Sequence, residues 1–387
     1  MRVALNLEQC FQRPPGGIGR YAAELARLLP DTGGAVDGAR VEVVPFVARH
    51  SQRELDAVWP DLGLAMQPVV LRTPRRALYE LWNRWNRADP LADTHAPALD
   101  DVDVLHAPSV AVPPRGRAPL VVTVHDAAPL LFPETYPRLG RRFHELGFAA
   151  AAARADAIVA PTAAAADEVA AHTTIARDRI RPIHHGVDHT LATDAQVEAV
   201  RLVFDLEASY VLWVGTLEPR KNVGALVDAF ARAVDDADLP HVLVLAGPQG
   251  WLSESDAVAQ RAATLERRVR FTGPLSPDEL RALYRGADLF AFPSRHEGFG
   301  LPALEAMAQG TAVVCSDLPV LREITGGQAR FVAPEDGDGW ADALVTLLRD
   351  DAARTALGEA GRVHSLGFTW ARSCAQHVEV YKSVAVG

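Results

Sequence analysis

Two acids and two cations are the residues best placed to do chemistry in this chain. Glu297 and Glu305 lie within His296–Gly310 (HEGFGLPALEAMAQG), where Gly298 and Gly300 free the backbone and Pro302 suits a first helical turn. A strand-to-helix turn of this kind aims its amides at a ligand, as helix starts do when they hold phosphates. Glu297 precedes the turn and Glu305 sits on the first turns of the helix, so both carboxylates can face one ligand as acceptors for paired sugar hydroxyls. A capped helix with two solvated acids is the plainer alternative; the clustering of glycine, proline and both acids at one turn weighs against it. The cations are Arg220 and Lys221 in Gly215–Val223 (GTLEPRKNV), directly after a strand, with Asn222 available to cap the next helix. Adjacent cations at a strand end would neutralise a diphosphate, the arginine fork chelating its oxygens. A solvent-facing basic pair is the usual meaning of Arg–Lys. It is weakened here because only two lysines occur among 39 basic residues, Lys221 and Lys382.

Three further segments carry weaker signals. In Pro14–Tyr21 (PPGGIGRY), Gly17, Gly19 and Ala22 satisfy a dinucleotide-binding spacing. That reading fails because about ten residues separate the preceding strand from Gly17, too many for the tight turn, and no acid closes the second strand (VEVVPFVA) to hold a ribose. A glycine loop facing a phosphate or sugar, and a plain helix entry, both remain open. In Val121–Pro129 (VVTVHDAAP), His125 and Asp126 end a buried strand. The histidine is a candidate partner for substrate hydroxyls, and Asp126, with Arg20, a candidate contact for an acceptor; a structural strand-end histidine is the competing reading. Arg72–Arg87 holds five arginines with Tyr79, Trp82 and Trp85, which fits a membrane-surface face or a core helix with its arginines outward.

The elements that must position these residues follow a βα grammar. Expected strands are Val3–Leu7, Val41–Val47, Pro68–Leu71, Val102–His106, Leu120–Val124, Ala157–Ala160 and Arg181–His184, then Tyr210–Val214, Val242–Ala246, Val269–Thr272, Leu289–Phe292, Ala312–Cys315 and Arg330–Val332. Helical spacing separates them, as in Arg20–Leu29, Arg138–Arg154 and Ala163–His172, the last capped by Thr162. Near-continuous apolar strands such as VLVLAG and LFAFP imply parallel sheets covered on both faces. The polar stretch Gly186–Val200 is the expected hinge, and two doubly wound domains would face a cleft at the carboxyl ends of their strands.

Bulk properties bound the rest. The 387 residues suit two domains, and 49% apolar with 23% charged residues is a globular composition. A formal charge of −10 weighs against nucleic-acid binding. Cys10, Cys315 and Cys374 form neither a disulfide framework nor a zinc motif and suit a reducing cytoplasm. The start MRVALNL enters a strand without a leader-like apolar run, and no stretch approaches the ~20 apolar residues of a membrane span, so any membrane contact is expected to be peripheral.

On GGIGRY, VHD, GTLEPRKN, FTGPLSPDEL and above all EGFGLPALE followed by AMAQG, the sequence resembles, over nearly its whole length, the retaining, GT-B-fold glycosyltransferases of family 4. The resemblance implies two Rossmann-like doubly wound domains facing a central cleft. These would be 1–190 for the acceptor, 191–368 for a nucleotide-sugar donor, and a terminal helix in 369–387 crossing back to the first. It implies that Arg220 and Lys221 hold the donor diphosphate, Glu297 the transferred sugar and Glu305 the ribose, with Gly215 in the same donor region. Backbone around Gly298, Phe299, Gly300 and Leu301 would contact sugar and phosphate, Gly273 would border the base, Gly16 and Gly17 would close over the diphosphate, and His125 would lie beside the sugar. No metal or other cofactor is expected, and retention comes from the resemblance alone. The likeness of GGIGRY and SDLPVLRE to bacterial mannosyltransferases favours GDP-mannose over UDP- or ADP-sugars. The acceptor is expected to be a saccharide or lipid-linked. A glycoside phosphorylase or a sucrose- or trehalose-type synthase, and a non-catalytic sugar-nucleotide-binding protein, are the alternatives.

Overall fold

The computed structural model describes residues 1–12, 16–32, 40–93, 95–207, 209–237, 239–248, 254–265 and 268–385. The chain divides into two compact units, Met1–Gly186 with Phe368–Gly387, and Val187–Gly367.

The first unit carries β1 (Arg2–Asn6), β2 (Glu42–Val47), β3 (Val69–Val70), β4 (Val104–Ala107), β5 (Leu120–Thr123), β6 (Ala157–Ala160) and β7 (Ile180–Pro182). They form one parallel sheet in the order β3-β2-β1-β4-β5-β6-β7. Successive side chains on β1 go to opposite faces, as the pleat requires. Ala4 joins a core with Trp82, Phe148 and Val169 from the helices Arg75–Asn83, Arg138–Arg154 and Ala163–His172. Val3 and Leu5 join a core with Leu25 and Leu29 of the helix Gly17–Thr32 and Val378 of the terminal helix Trp370–Ala385. The first and terminal helices pack together. Thr162 accepts from the Ala165 amide, the cap its position implies.

The second unit carries β8 (Tyr210–Val214), β9 (Val242–Ala246), β10 (Val269–Gly273), β11 (Leu289–Phe292), β12 (Val313–Ser316) and β13 (Arg330–Val332), all parallel, in the order β10-β9-β8-β11-β12-β13. Helices Val223–Ala237 and Gly337–Arg349 share one core with the sheet. Leu301–Ala308 buries Ala303, Leu304 and Met307 against the helix Asp351–Ser365. Every expected strand is present, with ends shifted by one or two residues, as at Ile180–Pro182 against the expected Arg181–His184. The expected hinge is in part regular structure. Asp194–Val203 is a helix, because Thr193 and Gln196 close a reciprocal capping box on its first turn.

Among the described residues no helix is long and apolar enough to cross a membrane. The arginine-rich segment folds as the helix Arg75–Asn83, with Trp82 fully buried and Tyr79 stacked on Phe143. Trp85, just beyond it, is 57% exposed under the Arg84 guanidinium.

Candidate active site

In the second sheet β8 and β11 are neighbours, and the chain leaves them towards opposite edges, β8 to β9 and β11 to β12. A strand order that reverses in this way opens a crevice beyond the carboxyl ends of the two strands. Both chemistry-bearing motifs emerge there. After β8 the chain makes a single 3-10 turn, Pro219–Lys221, which ends on Asn222 in the left-handed region (φ 56°). The Asn222 side-chain amide donates to the Pro334 carbonyl, fixing the entry into Val223–Ala237. After β11 the backbone amide of Arg295 donates to the Arg220 carbonyl at 2.9 Å, tying the two strand ends together.

The cations and the first acid meet directly. Lys221 Nζ donates to Glu297 Oε1 at 2.7 Å, and an Arg220 nitrogen lies 3.7 Å from Glu297 Oε2. Arg220 also donates to the His296 carbonyl at 2.9 Å and to Glu218 Oε1 at 2.5 Å. These side chains are largely buried, Glu297 at 7% and Lys221 at 13% exposure, and Lys221 lies 5.4 Å from the centre of the Phe292 ring. Burial alone would push the Glu297 carboxyl up. The Lys221 and Arg220 charges outweigh it and hold the group below its ordinary value. Burial lowers Lys221, the Glu297 charge offsetting only part of that. Two cations and two carboxylates thus sit together, and the positive charge of Arg220 and Lys221 is balanced by Glu218 and Glu297.

Glu305 lies in Leu301–Ala308, and its Oε2 accepts from the Tyr284 hydroxyl at 2.9 Å. Gly300 caps this helix with φ 96°, and a Cβ there would lie 2.7 Å from Leu321 Cδ2, so both backbone and space demand glycine. Phe299 and Gly298 before it are buried. On the other side of β8, Gly215, Gly247 and Gly273 end or follow three adjacent strands. The Gly215 amide donates to the Ala246 carbonyl and the Gly247 amide to the Gly273 carbonyl. A Cβ on Gly247 would come within 2.0 Å of the Gly215 carbonyl oxygen, which makes this edge a floor of bare backbone.

The remaining candidates belong to the first unit. His125 follows β5, half-buried, and its Nε2 lies 2.9 Å from the Pro108 carbonyl. Burial lowers its pKa, the Pro108 contact and the Asp126 charge offsetting part of the shift. Asp126 Oδ1 accepts from the Ala128 amide at 2.9 Å and so shapes the turn after the strand. Gly16 and Gly17 are exposed at the start of Gly17–Thr32, and the Arg20 amide donates to the Gly16 carbonyl at 3.1 Å. Pro14 and Pro15 of the same motif lie outside the described residues. Among the described residues, no group of three or more His, Cys, Asp or Glu is placed to hold a metal ion.

Four residues escaped the sequence reading. Glu218 had a signal, as an acid two positions before Arg220, and Gly247 stood directly after an apolar strand. Tyr284 and Ser294 had none. Tyr284 reaches Glu305 across 21 residues of sequence, and Ser294, in the segment that leads from β11 to Glu297, is fully buried.

Comparison with known proteins identifies the family. Residues 15–191 match the family described as Glycosyltransferase Family 4, and residues 208–350 the family described as Glycosyl transferases group 1. The chain is 28% identical over 383 residues to the O-antigen chain mannosyltransferase B of Escherichia coli, spanning 95% of this chain and 96% of that one. It is 34% identical over 286 residues to the D-inositol 3-phosphate glycosyltransferase of Nocardia farcinica, but that match spans only 62% of the relative's length. The crystal structure of Anabaena HepE in complex with UDP-glucose superposes with a TM-score of 0.75 over 99% of this chain and all of that one, at 19% identity, a likeness of fold. With a glycosyltransferase match on each unit and the same pair of parallel sheets over the whole length, the chain belongs to the GT-B-fold glycosyltransferases of family 4 and is an enzyme of the hexosyltransferase type.

Proposed function

We propose that the chain transfers a hexose from a nucleotide-sugar to a hydroxyl of a saccharide or lipid-linked acceptor, retaining the anomeric configuration and using no metal ion. GDP-mannose is the favoured donor, with UDP- and ADP-sugars as the other options. The observation that carries this reading is the Arg220–Lys221–Glu297 cluster at the β8/β11 switch point, with Glu305 on the adjoining helix. The mannosyltransferase relative supports the sugar, and the HepE complex supports a sugar nucleotide as the class of donor.

In this reading the bond between the anomeric carbon and the donor phosphate breaks, and a bond to the acceptor oxygen forms on the same face of the sugar. The acceptor proton passes to the leaving diphosphate. Arg220 and Lys221 stabilise the charge that grows on that diphosphate, and their carboxylate partners hold them in place beforehand. Because the resting cluster carries no net charge, the incoming diphosphate competes with Glu297 for Lys221, and the carboxylate is freed to accept sugar hydroxyls. Glu305, steadied by Tyr284, accepts from the ribose. The amides before Leu301 and the backbone at Gly215 and Gly273 line the donor, His125 serves the sugar, and Gly16 and Gly17 close on the diphosphate. Asp126 and Arg20 are the acceptor contacts. A cytoplasmic site of action, with contact at the inner face of the membrane when the acceptor is lipid-linked, suits such substrates.

The test is donor turnover with GDP-mannose, UDP-glucose and ADP-glucose, following nucleotide release and the anomer formed. Transfer that falls away in Lys221→Ala and Glu297→Ala, with melting temperature kept, supports the reading. Undiminished transfer in both folded variants overturns the site. Turnover that needs phosphate and releases no nucleotide would replace it with a phosphorylase, and calorimetric binding without turnover would replace it with a binding protein.

A further inference from the structure

Beside His125 lies a group of polar side chains that the proposed chemistry does not use. Tyr21, His106, Thr123, His377 and Tyr381 are each fully buried, and they come from four different elements: Gly17–Thr32, β4, β5 and the terminal helix. Their contacts fix the position of every proton. His377 Nδ1 lies 2.8 Å from the Ser373 carbonyl, which only accepts, so Nδ1 carries the hydrogen and Nε2 is a lone pair. That lone pair accepts a hydrogen bond from the Tyr21 hydroxyl at 2.7 Å. The Tyr21 oxygen then accepts from Thr123 at 2.9 Å, and the Thr123 oxygen accepts from His106 Nε2 at 2.9 Å. His106 Nδ1 is left as the acceptor for the Tyr381 hydroxyl at 2.7 Å. The result is a one-way chain, Tyr381 to His106 to Thr123 to Tyr21 to His377 to Ser373, closed only while both histidines are neutral.

The same chain fixes the neighbour of His125. The Tyr21 ring meets the His125 ring edge-on, with centroids 5.2 Å apart and planes at 85°, and His185 lies against both at 4.6 Å and 5.6 Å. Thr123 ends β5, two residues before His125. The Pro108 carbonyl accepts from His125 Nε2, so in its neutral form His125 presents Nδ1 as an acceptor and has no proton to give there.

We propose that Tyr21 and His377 are positioning residues for His125, through which the terminal helix sets the ring orientation of a histidine that accepts a hydrogen bond from a sugar hydroxyl, the Pro108 carbonyl setting its tautomer. The role of His125 rests on the function proposed above; the proton order of the chain does not. Orientation acts most on the reacting geometry, so a slack His125 lowers kcat more than it raises the donor KM.

The experiment uses the full chain labelled with nitrogen-15 histidine and reads the ring tautomers by long-range proton–nitrogen correlation at pH 7.5. The expected result is a single neutral tautomer for each ring, protonated at Nε2 in His106 and His125 and at Nδ1 in His377. Tyr21→Phe, which keeps the ring and removes the hydroxyl that anchors it, is expected to shift and broaden the His125 ring signals without changing their tautomer, and to lower kcat by about tenfold with donor KM changed less than threefold. If Tyr21→Phe does not fold, His377→Leu breaks the same link from the terminal helix, with the same expected signature. Mixed tautomers in the unmutated chain, or His125 signals that do not move in the folded variant, overturn the proposal whether or not transfer is seen. A moved spectrum with kcat within twofold of the parent also overturns it, leaving the chain as packing alone. Absence of transfer by the unmutated chain with every donor would instead sink the functional reading.

Discussion

The carboxyl ends of the two sheets solve the problem of buried polarity in opposite ways. Beyond β8 and β11, Arg220, Lys221, Glu218 and Glu297 keep full charges that cancel pairwise at low exposure. Around β4 and β5, Tyr21, His106, Thr123, His377 and Tyr381 keep no charge at all and satisfy one another with single protons. A charged cluster can exchange one partner for a phosphate of the same sign as the carboxylate it displaces, so it suits a site that binds and releases anions. A neutral chain has no such exchange available, and its strength is fixed geometry. The contrast separates a region whose partners are exchangeable charges from one whose partners hold side chains still.

The largest expected effect tests the charged end. Lys221→Ala should lower kcat on the order of 10²–10³-fold, the cost of losing a charge-stabilising group, in steady-state assays with the melting temperature monitored. A comparable loss in Thr123→Val would erase the distinction. That variant is expected instead to act on stability, by about 1–3 kcal/mol for each polar group it strands at His106 and Tyr21, measured by chemical denaturation. Its effect on kcat should stay well below that of Lys221→Ala.

Acid separates the two regions next. His106, His125, His185 and His377 all titrate below their ordinary value, chiefly through burial, His377 down to about 4. The groups facing them are mostly one another, with His184 beside His185 and Asp126 beside His125. An unfolded histidine takes up its proton near 6.5 and the native ones only at lower pH. Their contribution is therefore complete above pH 6.5 and is lost as pH falls towards 4, with a slope of about 1.4 kcal/mol per pH unit for each histidine. Glu297, held below its ordinary 4.5, loses its contribution only as pH falls through its lower folded value. Hydrogen exchange followed peptide by peptide between pH 7.5 and 4.5 should show the first sheet and terminal helix loosening before the β8 and β11 ends. Simultaneous loosening would count against the contrast. The smallest effect marks its outer limit. Trp85→Ala, at an exposed position, should change stability by no more than about 0.5 kcal/mol, whereas Trp82→Ala, one helical turn earlier, should cost about 3–5 kcal/mol.

Much of this architecture was legible in the sequence because its signals are local. Strands such as Leu289–Phe292 and Ala157–Ala160 are short apolar runs between turns, and their parallel pairing follows from the helices between them. The charged cluster was legible in part too, because Arg220, Lys221 and Glu297 follow strand ends and Glu305 lies in the next helix. The helix inside the expected hinge was missed although Thr193 and Gln196 spell a capping box, since the polar composition around them outweighed that local signal. Asp126 looked like a ligand contact and was found in a backbone turn as well, as short acids after strands often are.

Type, order and spacing alone determined the class of protein: two βα repeats, cations after one strand, acids around one glycine turn, and membership in a family. Only the tertiary structure decided that Lys221 rests on Glu297, across 76 residues of chain, and that Tyr21 reaches His377 across 356. Such partners are chosen by which strands become neighbours and which helix covers them. Ionisation, tautomer and proton direction depend on burial and on atoms within about 3 Å, and neither can be read along the chain.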